Sequence, residues 1–114
     1  MTPDAASRLA AQLVGAVFDL PPAEILADRK GSPAHVQARK VVCYLLNTDA
    51  ELDCAEIGRT IGRHRSTVLH AVASVTALRE HPDFDAALDV LGGMFRDIAS
   101  ARTRLPSLVE ELSP

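Results

Sequence analysis

The sequence has no tryptophan, one tyrosine and three phenylalanines, so its core cannot rest on large aromatic rings. The 47% apolar share comes instead from aliphatic and alanine side chains, a composition that favours helices. Cysteine is equally scarce. Cys43 and Cys54 are too few for a disulfide framework, and neither lies in a CxxC or Cys/His spacing that would hold zinc. Both read as small buried hydrophobes of a reducing compartment. No run approaches the roughly 20 apolar residues of a membrane span. Leu9 to Phe18 is too short and too interrupted, by Gln12, for a signal peptide, and Asp4 offsets Arg8 ahead of it. A GxxxxGKS/T phosphate loop is absent, as are convergent carboxylates and any nucleophile-base pair at a suggestive spacing. These absences lead us to expect a soluble, cytoplasmic chain that is not an enzyme and uses no nucleotide, cofactor or metal.

What the sequence does have is an uneven charge distribution. Its net charge of −3 argues against a general polyanion binder, but the acids gather at the two ends. Residues 1 to 28 hold Asp4, Asp19, Glu24 and Asp28 against Arg8, and from Glu80 onward seven acids face three arginines. The middle is basic, and between Arg59 and Arg79 no acid interrupts it.

The 114 residues suit one domain, 1-114, of about six helices and no strands, an all-α fold. Thr2-Pro3 opens a first helix to about Asp19, with Leu9, Leu13, Val14, Val17 and Phe18 inward. Pro21-Pro22 stops it, and Ala23 to Asp28 makes a short second helix before the basic loop Arg29-Lys30-Gly31. Ser32-Pro33 starts a central third helix that ends near Asn47, and Asp53 caps a fourth over Cys54 to Ile61. After Gly62 a fifth helix runs from about His64 to Glu80, burying Val68, Ala71, Val72, Val75 and Leu78. A sixth, extra to the rest, spans about 83-104 with Phe84, Leu88, Leu91, Phe95 and Ile98 inward and Gly92-Gly93 as a weak point; after Pro106 the tail is frayed or a last turn.

Two helices joined by a glycine turn, the second opening with polar and basic residues, form the pattern of a helix-turn-helix. Arg63, His64 and Arg65 crowd the positive end of the fifth helix, where each costs about 0.3–1 kcal/mol unless an anion sits there. A DNA phosphate is such an anion. Ser66, Thr67, His70 and Ser74 continue the polar face. For Arg29 and Lys30, and for Arg39 and Lys40, solvated surface and anion binding explain the residues equally well.

The string from Ile57 to Ala71, IGRTIGRHRSTVLHA, resembles the signature of the C-terminal DNA-binding domain of the bacterial replication initiator DnaA. Val14 to Leu26, Arg29-Lys30, Arg39-Lys40 and Glu56-Ile57-Gly58 precede it in the family's order, so the resemblance spans about 10-80. It implies a minor-groove contact by Arg29, phosphate contacts by Arg39, Lys40 and His70, and a major-groove position for Ser66 and Thr67. The chain departs from the family where His64-Arg65 replaces an Asp-His pair of base readers, one residue of the glycine turn is missing, and Cys54-Ala55 replaces Leu-Pro. Arg65 is of a kind that bridges guanine.

With no phosphate loop and no room for an ATPase domain, the expectation is a free-standing relative rather than the initiator. The resemblance implies a partner in double-stranded DNA, association with the nucleoid, and an accessory or regulatory role in replication initiation or transcription. The alternative is a protein-interaction module that binds the initiator or another protein, for instance through its acidic sixth helix.

Overall fold

Each helix begins where a short polar side chain or a proline allows it to. The computed structural model describes residues 1–27 and 31–114. Helix α1 (Pro3–Phe18) starts with the Thr2 hydroxyl accepting from the Ala5 amide and Pro3 in its first turn, and Asp19 in the left-handed region ends it. Helix α2 (Pro22–Ile25) is a single turn that buries Ile25. Helix α3 (Pro33–Thr48) opens with a capping box in which Ser32 and His35 satisfy each other's backbone amides, and the His35 ring also reaches Glu24 at 3.0 Å. Helix α4 (Cys54–Ile61) is capped by Asp53, helix α5 (Arg65–Leu78) by His64, and helix α6 (Pro82–Leu112) opens on Pro82.

Helix α3 is the axis of the fold. Val41 to Leu46 are all buried, and α1 and α5 pack against it from either side. Val14 and Ile25 come to this core from the N-terminal pair, Ile57 and Ile61 from α4, Val68, Ala71 and Val75 from α5, and Leu88, Leu91 and Phe95 from α6. The six helices are joined by turns and short loops, and no strand occurs among the described residues, in keeping with an all-α fold.

Helix α6 departs from expectation. It neither breaks at Gly92-Gly93 nor ends near residue 104, but continues through Pro106 to Leu112. Gly92 is instead a contact point, since a Cβ there would lie 3.0 Å from both carboxylate oxygens of Asp49. Asp49 is nearly buried and pairs with Arg96 one turn further on, fastening α6 to the end of α3. Beyond Phe95 the helix leaves the core. Ile98, expected inside, is 37% exposed, and every residue from 101 onward is exposed. Val17 and Leu78 are likewise outside the core their periodicity assigned them to.

Candidate nucleic-acid interface

The turn between α4 and α5 is set by two glycines. Gly62 takes φ of +71°, which ends α4 and reverses the chain. Gly58, one turn earlier, lets that turn lie flat on α4: a Cβ would stand 2.5 Å from the Arg63 carbonyl oxygen and 3.4 Å from the Arg65 nitrogen. The turn is closed by the Arg63 amide, which donates to the Gly58 carbonyl at 2.9 Å. Helix α5 therefore projects from α4 at a fixed point, its first turn free of acidic residues.

At that point His64 is the N-cap. Its Nδ1 accepts from the Ser66 amide at 3.1 Å and lies 2.7 Å from the Ser66 hydroxyl. The ring is thus tied to the helix end, with its Nδ1 used as an acceptor. Arg65, Ser66 and Thr67 follow, all exposed, while Val68 behind them is fully buried and anchors the helix. Leu69, which periodicity leaves outside the apolar stripe but which residue type did not draw attention to, is 58% exposed on the same outward face.

The second half of the site is a cleft between α3 and α5. It has a volume of about 300 Å³ and is lined on its polar side by Arg39, Lys40, Arg63, Thr67 and His70, over a floor that includes Val36 and Cys43. Arg39 donates through Nε to the Ile25 carbonyl at 2.9 Å, which fixes its guanidinium at the cleft wall. Partial burial, and then the neighbouring positive charge of Arg63, pull its pKa below the usual arginine range. Burial also pushes the Cys43 thiol up to about 11, so it stays a neutral floor for the charges above it.

Arg63 points away from the tip it was expected to decorate. Its Nη2 donates to the Ala27 carbonyl at 2.6 Å, bridging 36 positions of chain, and it is half-buried. It thereby ties Ala27 to the head of α5. Arg29 and Lys30 lie outside the described residues. The ten expected contacts thus divide: Arg39, Lys40, Arg63, Thr67 and His70 come together in the cleft, His64, Arg65 and Ser66 form a separate outer face with Leu69, and two fall outside. Lys40, Arg59 and Arg65 make no salt bridge among the described residues.

Arg79, the last cation of the basic middle, behaves differently. Asp85 at 2.5 Å, Asp89 and the Tyr44 hydroxyl at 2.6 Å surround it, its guanidinium lies 5.8 Å from the Tyr44 ring centre, and those hydrogen bonds raise its pKa. It joins α5 to α3 and α6 and takes no part in the cationic face. Two acids expected on a docking surface of the sixth helix, Asp85 and Asp89, are engaged in the same contact.

Among the described residues no group of three or more His, Cys, Asp or Glu side chains is placed to hold a metal ion, and no helix is long and apolar enough to cross a membrane. Comparison with known proteins agrees with this geometry. The family described as the bacterial dnaA protein helix-turn-helix matches residues 9–75, more than half of the chain. A solved structure of a DNA replication initiation factor superposes with a TM-score of 0.74 at 23% identity, covering 83% of this chain and 29% of its own. The chain therefore spans under a third of that protein's length. A search of curated proteins gives no match.

Proposed function

Because the chain belongs to the family of the bacterial DnaA helix-turn-helix, a DNA-binding domain, we propose that it binds duplex DNA as an accessory or regulator of replication initiation or of transcription. The observation that carries this reading is the pairing of an acid-free α5 tip with a cationic cleft one helix face away. A major groove admits one helix, and a helix seated there by its N-terminal residues brings flanking cations to the phosphates on either side. In this reading Lys40, Arg39 and His70 hold phosphate, and Ser66, Thr67 and Arg65 meet base edges. Arg65 is suited to the O6 and N7 of guanine, and Leu69 to a thymine methyl. His64 orients the helix end through its cap, and Arg63 acts indirectly by tying Ala27 to the head of α5. For Arg29 the family resemblance proposes a minor-groove contact, which reads groove width more than base identity.

The solved relative is a DNA replication initiation factor, and a chain with the same helix-turn-helix fold can compete with such a protein for duplex DNA. That is the basis for proposing a modulatory role close to the initiator, with the nucleoid as its location and no catalysis of its own. Selection of bound duplexes from a random pool, followed by anisotropy titration of the enriched sequence, tests the reading. One recurring motif bound far more tightly than scrambled duplex supports it. Failure to enrich any sequence, with binding no stronger than to scrambled DNA, contradicts it.

A further inference from the structure

Of the eleven large apolar side chains left exposed among the described residues, eight lie on α6 or beside it: Val17, Val90, Met94, Ile98, Leu105, Leu108, Val109 and Leu112. They are not scattered. Leu91, Met94, Ile98, Ala101, Leu105, Leu108 and Leu112 recur at alternating steps of three and four, the spacing of a two-helix seam, and Pro106 falls outside it. Ile98 is only partly covered, and from Ala101 to Leu112 the seam is exposed along its whole length. A helix of that length gains its stability mainly from packing an amphipathic face, so a bare seam calls for a cover.

The other half of the fit is on the same molecule. Where α6 leaves the core, a groove of about 440 Å³ opens between it and α1 and α3, and every residue lining it is apolar, Val17, Phe18, Phe84, Val90 and Met94 among them. The groove lies at the inner half of the seam and the bare stripe at its outer half. A two-fold axis near Ala99 and Ser100 would place each stripe in the other copy's groove. In that antiparallel register Leu112 faces Ala87 of the partner, Leu108 faces Leu91, Leu105 faces Met94 and Ala101 faces Ile98. The same register sets Asp97 of each copy beside Arg104 of the other, twice, so the flanking charges agree with the apolar match. An isologous contact needs this kind of self-complementarity. Residues 87 to 112 give about 39 Å of paired helix, a length suited to a stable interface.

We propose that this face binds a second copy of the chain, forming an antiparallel α6–α6′ homodimer that presents two helix-turn-helix units. The contact is independent of DNA and stands or falls apart from the DNA-binding reading. Sedimentation equilibrium of the full chain without DNA tests it, with circular dichroism as the folding control. The wild type should be dimeric. Leu105→Glu, at a position already 58% exposed, should keep its helix content in the globular part and weaken dimerisation roughly 30-fold or more, the size of a lost central apolar anchor. Asp97→Arg should weaken it about tenfold by opposing Arg104 of the partner, and Asp97→Arg/Arg104→Asp should recover it. A wild type that stays monomeric at every concentration, as it would if another protein's helix or a lipid surface were the true cover, overturns the proposal. So does a dimer indifferent to Leu105→Glu, and a double variant as weak as the single one overturns the antiparallel register.

Discussion

The two ends of α5 carry arginines of identical chemistry in opposite surroundings. At its C-terminal end Arg79 is bound by Asp85, Asp89 and Tyr44, and its charge is matched by the protein's own acids at a partly exposed site. At its N-terminal end Arg65 is exposed beside a tip with no acid in its first turn, and Lys40 stands across the neighbouring cleft without a salt bridge among the described residues. A cation's place in a linear basic region therefore does not fix its task. The acids that neutralise Arg79 come from the next helix, while those at the head of α5 are missing, and only the second arrangement leaves a positive surface for an external anion.

The sharpest way to break this contrast is to reverse the charges at one end and delete them at the other. Lys40→Glu/Arg65→Glu should reduce duplex affinity by roughly 100-fold or more while leaving the melting temperature near that of the wild type. Gly58→Ala probes the frame that positions the tip. Its methyl would push on the Arg63 carbonyl, so thermal or urea unfolding should show a loss of roughly 1–3 kcal/mol, the range for overpacking a tight contact. Arg79→Ala should do the converse of the tip variant, lowering stability by about 1 kcal/mol through loss of its partly exposed contacts while leaving DNA affinity unchanged. The smallest effect belongs to the cap. His64→Ala should cost about 0.5–1 kcal/mol in the same unfolding experiment, and His64→Asp, which keeps an acceptor for the Ser66 amide, should restore most of it.

Helix starts were open to reading in the chain because caps are local: Thr2, Ser32 and Asp53 each sit next to the amides they serve. Gly62 was readable for the same reason, as a left-handed residue between two apolar periodicities. The cationic string from Arg63 to Arg65 was visible too, and so was its family resemblance. What the string concealed was direction. Whether Arg63 turns outward or back to Ala27 depends on a contact across 36 positions, which no local pattern encodes. Arg79 was counted with the basic centre because its partners lie beyond Pro82, in a segment that sequence alone divides from it. The reach of α6 was missed through its punctuation. Gly92 and Pro106 read as breaks, but the first is a crossing point over Asp49 and the second is carried within a helix that continues past it. The outward turn of Ile98 could have been noticed in the steps of three and four that run on to Leu112.

The central claim, that the α5 tip and the adjoining cleft meet a DNA backbone, is tested most directly by the salt dependence of duplex binding in the wild type, Lys40→Ala/Arg65→Ala and Arg79→Ala. Each phosphate contact removed lowers the slope of log affinity against log salt by about 1. The tip variant should therefore lose about 1 in slope, from Lys40, and further affinity from the base contact of Arg65, with Arg79→Ala superimposing on the wild type. A wild type whose binding does not change with salt, or a tip variant that keeps the wild-type slope while Arg79→Ala loses it, would contradict the account.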